Sequence, residues 1–176
     1  YPDGEIQYSA RRFRSISWEF LDLFKIIPWV MPYKKRASLM LGKYFRHDED
    51  MECDWVNGAF FMFNLKLLND LPQHKLDERF FMYGEDQLWC LQAKEAGCKI
   101  LFYAGTSIVH IHSGSTRPEK VLSLRKVMVK NELVIARERL EAGIGYFVFK
   151  LLFLFKESVR YAVKWVYWKL TGRLIK

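Results

Sequence analysis

Apolar positions along this chain fall into short runs, and the residues that punctuate them set the elements they predict. After a turn at Pro2, Asp3 and Gly4 and a short strand, an aromatic stretch from about Ser15 to Val30 reads as helix, interrupted by Pro28 and Pro32. A basic cluster, Lys34, Lys35 and Arg36, follows. Asp54 to Phe63 is apolar and aromatic enough for a buried strand, and Leu65 to Leu71 reads as a short helix ended by Pro72. The next helix is expected from about Glu85 to Ala96, where Gly97 supplies a C-terminal cap. Short strands at Ile100 to Tyr103 and Ser107 to His110 precede a long helix, rich in Lys and Arg, from Glu119 to Glu141. Gly143 and Gly145 separate that helix from the last segment. These elements predict an α/β body over residues 1–142 and a helical tail over 143–176.

The tail interleaves aromatic and basic side chains. Lys150, Lys156, Arg160, Lys164, Lys169, Arg173 and Lys176 stand against one acid, Glu157, so most of the chain's net charge of +8 sits there. The longest uncharged apolar run, Leu151 to Phe155, falls far short of the roughly 20 residues a helix needs to cross a bilayer. An amphipathic helix lying in the membrane interface fits better. Lys150, Glu157 and Lys164 fall on one side, and Lys150, Arg160, Lys164, Trp165 and Trp168 are the expected contacts with the headgroup zone. Each basic residue near an anionic surface adds about 1 kcal/mol of attraction. The competing reading of the same pattern is a helix packed on its own domain or on a second copy of the chain, a homo-oligomer.

Composition narrows the class. A chain of 176 residues buries one good core, and 51% hydrophobic with 16% aromatic content excludes a disordered segment. The three cysteines, Cys53, Cys90 and Cys98, are odd in number and form no Cys-x-x-Cys pair, which points to free thiols in a reducing, cytosolic setting. The positive charge lies on an aromatic helix with no zinc-finger, RNP-like or helix-turn-helix signature, so a nucleic-acid partner is not expected.

Candidate chemistry centres on Glu85 and Asp86. An aromatic run, Phe80 to Tyr83, delivers these two adjacent carboxylates onto the expected start of a helix, where exposed backbone donors and the helix dipole favour the ionised form. A carboxylate partly walled off by Phe80, Phe81, Met82 and Tyr83 suits general-base catalysis on a substrate hydroxyl. Successive helical residues point roughly 100° apart, so one acid would work while the other positions or caps. Acidic residues at helix starts are also ordinary capping features. A second polar cluster, His110, His112 and Ser113, ends the strand-like run that follows.

Four segments in register, Asp54 to Phe63, Leu76 to Asp86, Ala96 to Ile100 and His110 to Ser115, resemble the family 2 glycosyltransferases, in particular the rhamnosyltransferase-like branch. In weaker form the resemblance runs from Tyr1-Pro2-Asp3-Gly4 and Arg11-Arg12-Phe13 through Lys130-Asn131-Glu132. It implies a partial GT-A fold, Rossmann-like, with a mixed sheet between flanking helices and long amphipathic helices at its C-terminal end. It also implies transfer of a hexosyl or deoxyhexosyl group, with inversion, from a nucleotide-diphosphate sugar donor to a glycan or lipid-linked acceptor hydroxyl.

Carried over by position, the resemblance makes Asp86 the general base and Glu85 a residue that shapes the acceptor site. Gly58 and Ala59 would lie where the backbone passes close to the donor sugar, with Tyr83 beside the substrate. It further implies a divalent cation, Mg²⁺ or Mn²⁺, which suits the hard oxygens of a diphosphate. His110 is the expected contact in this chain, with His112 as rival, the remaining ligands lying outside the chain. Asp48-Glu49-Asp50 has the letters of an Asp-x-Asp motif but sits in a charged, loop-like run and is not assigned to metal. The chain departs from the family pattern directly after the pair, where Gln87 to Gln92 supply neither a further Asp nor an Arg.

On this reading the chain is the C-terminal portion of a polysaccharide-building enzyme, peripheral at the inner face of the cell membrane and inactive as a fragment. The alternative is a non-catalytic domain that keeps the fold to dock onto a membrane or a partner protein.

Overall fold

The computed structural model describes residues 1–24, 26–111 and 121–171. Its strands are short: β1 (Ala10–Arg11), β2 (Met51–Cys53), β3 (Trp55–Val56) and β4 (Ile100–Phe102). The helices are α1 (Ile16–Leu23), α2 (Ile26–Val30), α3 (Tyr33–Met40), α4 (Glu85–Glu95), α5 (Val121–Leu140) and α6 (Ile144–Thr171). Helix and strand are both present, as the apolar pattern predicts. The single mixed sheet is not. Among the described residues, β1 pairs with β3 and β2 with β4, giving two separate two-stranded antiparallel sheets.

The reason lies after Val56. The apolar run was expected to continue as strand to Phe63, but Asn57 turns the chain away from the ladder. Its side-chain oxygen accepts from the Ala59 amide at 3.1 Å, and its own amide donates to the Ser9 carbonyl at 3.2 Å. Phe61 and Phe63 then satisfy their apolar surface through ring contacts, with each other at 5.8 Å and between Phe61 and Trp89 at 6.2 Å. Ser107 to His110, also expected as a strand, forms no ladder.

Prolines act differently from expectation too. Helix α1, capped by the Ser15 hydroxyl accepting from the Trp18 amide at 3.1 Å, ends before Pro28 is reached. Pro28 sits in the first turn of α2, where its missing N–H leaves no bond unmade, and Pro32 caps α3. The cluster Lys34, Lys35 and Arg36 is therefore helical.

The core gathers around β1, β2 and α4. Ala10, Leu41, Phe45, Cys53, Cys90 and Ile100 form its largest buried group, and Phe13, Leu88, Leu91 and Ile135 a second one that ties α4 to α5.

Helix α6 joins the body through its first half. Phe149 and Phe153 stack at 5.6 Å and pack against Ala136 of α5. Next to them Lys156, 4% exposed, reaches Asp22 at 2.9 Å and also pairs with Glu19, both on α1. Arg160 donates to Asp22 at 2.6 Å, and Glu157 holds Arg125 of α5. This corrects the expected membrane face: Arg160 and Glu157 are engaged by the body. Lys150, Lys164, Trp165 and Trp168 are exposed, as is every residue from Tyr161 to Thr171. No helix among the described residues is long and apolar enough to cross a membrane.

Candidate active site at the start of helix α4

Helix α4 begins from an unusual backbone. Tyr83 (φ 65°) and Gly84 (φ 100°) are both left-handed, and no side chain caps the helix. A tyrosine in this region costs on the order of 1–3 kcal/mol, so something must hold it. Asn131 of α5 does so: its buried amide donates to the Tyr83 carbonyl at 2.6 Å and the Met82 carbonyl at 3.2 Å. The preceding loop is clamped as well. Asp77 pairs with Arg79, and its carbonyl accepts from the Trp89 indole at 2.8 Å, while Arg79 also pairs with Glu138.

The aromatic wall expected around the acids forms only in part. Phe80 packs on the group containing Phe13, Leu88, Leu91 and Ile135, but Phe81 is 96% exposed and Met82 37%.

Asp86 is half-buried, and both of its oxygens are oriented. Oδ2 accepts from the Gly58 amide at 2.9 Å, and Oδ1 from the Gln87 amide at 2.8 Å. Burial raises its pKa above the ordinary carboxylate value; the two amides and the positive field of Arg11 pull the other way without cancelling it. Glu85 is raised too, first by burial and then by the charge on Asp86. Its Oε2 is buried with no hydrogen-bond partner in the protein. Desolvation thus outweighs the helix-start effect that favoured ordinary ionised acids at this position. A carboxylate of raised proton affinity, fixed by two amides and with lone pairs remaining, is a competent proton acceptor.

Gly58 makes this approach close. A Cβ at that position would stand 3.3 Å from the Cβ of Asp86 and 3.6 Å from its Oδ2. The close approach that Gly58 permits is therefore made to the carboxylate. Ala59 follows inside the Asn57 turn.

A further layer behind α4 escapes sequence reasoning. Gln87, buried, donates to Glu132 of α5 at 3.4 Å, and Glu132 in turn faces Arg14 at 3.9 Å. Burial raises the Glu132 pKa against the pull of Arg14. The only sequence signal was the weak Lys130-Asn131-Glu132 match, which carried no role.

His110 is hydrogen-bonded through Nδ1 to the Gln7 side chain at 2.7 Å. His112 lies outside the described residues. Among the described residues, no three His, Cys, Asp or Glu side chains gather to hold a metal ion, so these residues by themselves do not form a metal centre. Asp50 of the Asp48-Glu49-Asp50 run accepts from the Ala104 amide at 2.8 Å, a structural bond. The two cavities described, of about 390 and 640 Å³, are lined by neither Glu85 nor Asp86. Comparison with protein-family models, with curated proteins and with solved structures gives no match for this chain.

Proposed function

We propose that this protein belongs to an inverting glycosyltransferase of the family 2 type, with a GT-A arrangement, and that Asp86 is its general base. One observation carries the reading: segments that are distant in sequence but that each resemble the family meet around one carboxylate. The Gly58 amide binds Asp86, Arg11 contributes a favourable field to it, and Asn131 fixes the turn that starts its helix.

In the proposed step the acceptor hydroxyl oxygen attacks the anomeric carbon of the donor, and its proton passes to an oxygen of Asp86. The bond from that carbon to the diphosphate breaks, and the electron pair leaves with the diphosphate. Raised proton affinity at Asp86 favours the transfer, while the amides of Gly58 and Gln87 hold the carboxylate in place as its charge is lost. Glu85, the adjacent residue, would shape the acceptor side of the site from behind Asp86, its Oε2 being buried. A divalent cation remains part of the proposal only through ligands beyond the described residues, and no step here depends on it.

The exposed end of α6, with Lys164, Trp165, Trp168 and Lys169, suits peripheral contact with an anionic membrane surface, where a lipid-linked acceptor would be met. The direct test is a panel of nucleotide-diphosphate sugars offered to the intact native protein with membrane lipid extract. Sugar transfer and nucleoside-diphosphate release with one donor are expected. Release with none would leave the non-catalytic docking reading in possession.

A further inference from the structure

Away from Asp86, the N-terminal segment, α2, α3 and the turn after α3 line an open cavity of about 640 Å³, within the range of small-molecule sites of about 300–1,000 Å³. Its chemistry is one-sided. Arg36, Lys43 and Arg46 line it, and Glu5, exposed at the rim, is the one carboxylate among its lining residues.

These cations are mounted on aromatic rings. The Arg36 guanidinium lies 4.6 Å from the Trp29 ring centre and 5.8 Å from that of Tyr33. Arg46 lies 4.5 Å from Tyr33, and the Lys43 ammonium 4.9 Å from Tyr44. Stacking covers the flat faces of a guanidinium and leaves its in-plane N–H donors at the edges, the geometry that meets phosphate oxygens.

Two of the residues that line this cavity carry buried donors unsatisfied by the protein, one of them, the Tyr44 hydroxyl, also within the field of Asp22 and its partner Arg160. Nε of Arg36 and the hydroxyl of Tyr44, a residue only 3% exposed, are buried with no hydrogen-bond partner. Buried polar groups are ordinarily paired, so two orphans on one cavity wall mark a place built for an acceptor. Tyr33 is different, since its hydroxyl already accepts from the Arg46 amide at 3.3 Å.

We propose that this cavity is an anion site that takes a phosphate or diphosphate group, gripped by Arg36 Nε and the Tyr44 hydroxyl, with Lys43 and Arg46 supplying the surrounding charge. Several cations around one anion favour a multiply charged group over a lone carboxylate. The volume leaves room for the organic part that carries it. Trp29, 57% exposed, also belongs to the apolar surface of α1 and α2 with Phe20 and Phe24, so the group can arrive on a lipid or in solution. The site does not depend on the chemistry assigned to Asp86.

Titration of the whole chain with pyrophosphate at low ionic strength tests this, read by calorimetry and therefore separable from any loss of sugar transfer. One-to-one binding is expected, weakened about tenfold or more in Arg36→Gln and about fivefold in Tyr44→Phe, which keeps the ring and removes only the donor. Lys35→Gln removes the same charge from an exposed neighbour on α3 and should leave affinity unchanged. In a second arm, vesicles of phosphatidylcholine with phosphatidic acid are compared with phosphatidylcholine alone. Capture that pyrophosphate displaces assigns the group to a lipid headgroup, and capture that it does not displace assigns it to a soluble ligand. No binding of pyrophosphate, or equal losses in Arg36→Gln and Lys35→Gln, would overturn the proposal.

Discussion

The backbone amide of Gly58 donates to Oδ2 of Asp86 at 2.9 Å, a bond between residues 28 positions apart in sequence. It joins the loop after β3 to the first turn of α4, and a Cβ at position 58 would stand 3.3 Å from the Cβ of Asp86, a tight contact.

Substitution of that glycine should register in the pH dependence of catalysis. The Gly58 amide lowers the Asp86 pKa against the larger, opposing effect of burial. In Gly58→Ala the added methyl crowds Asp86, the amide bond lengthens, and the Asp86 pKa rises further. Because the base must be ionised to accept a proton, the acidic limb of kcat should move to higher pH, with activity lowered about tenfold. An unmoved limb would separate Gly58 from the base.

Stability should respond to Asp86 with the sign opposite to that of a paired carboxylate. Its folded pKa is raised, so folding disfavours the charged form: the stability associated with the neutral acid is complete below the unfolded value near 4 and lost as pH rises through the folded pKa. Asp86→Asn should therefore melt no lower than wild type at neutral pH, and any advantage should vanish in acid. Thermal melts of both proteins across pH decide this.

The docking of α6 should be lost at low pH and by a single substitution. Burial raises Asp22 and Glu157, but Lys156 beside Asp22 and Arg125 beside Glu157 outweigh it, and both pKa values end below the ordinary range. The resulting stability is present above the unfolded pKa near 4 and lost as pH falls through the folded values. Lys156→Met removes the buried cation that Glu19 and Asp22 share, leaving each a single arginine partner, Arg14 and Arg160, and should cost about 3 kcal/mol in urea unfolding at neutral pH, the low end for a broken buried pair. A cost under about 1 kcal/mol would mean that the apolar contacts of Phe149 and Phe153, with the Arg160–Asp22 and Glu157–Arg125 pairs, hold the helix without Lys156.

Thiol chemistry offers an independent check on burial. Cys53 is pushed up to about 11 and Cys90 to about 12, both by burial, while Cys98 is exposed. Iodoacetamide at neutral pH should modify one cysteine per folded chain, Cys98, and all three only after denaturation. Rapid labelling of Cys90 in the native protein would contradict its place on the buried face of α4.

Much of the local structure was legible in sequence because local signals decide it. Gly97 ends α4 as its cap, Ser15 caps α1, and the tail is helical. What was not legible depended on distant partners. Asn57 makes the last ladder bond, to Ser9, and then breaks the expected strand as its side chain accepts from the Ala59 amide, and the left-handed Tyr83 is held by Asn131, far along the chain. Charge counting assigned Arg160 to a lipid-facing stripe. Its partner Asp22 could have been suspected, since Glu19 and Asp22 share a face of α1 just as Lys156 and Arg160 share one of α6, but nothing in the sequence said that the two faces meet.

The acid pair was legible in position and less so in environment. Adjacent carboxylates at a helix start suggested ordinary ionised acids, whereas the fold desolvates both and leaves Glu85 Oε2 unpartnered.

The decisive measurement is turnover of the intact native protein carrying Asp86→Asn, with its active donor and acceptor. Asparagine keeps the shape and can still accept from the Gly58 amide but cannot take the proton, so kcat should fall by about 10²–10⁴ while the melting temperature holds. Turnover within a few fold of wild type would contradict the assignment of Asp86 as the base.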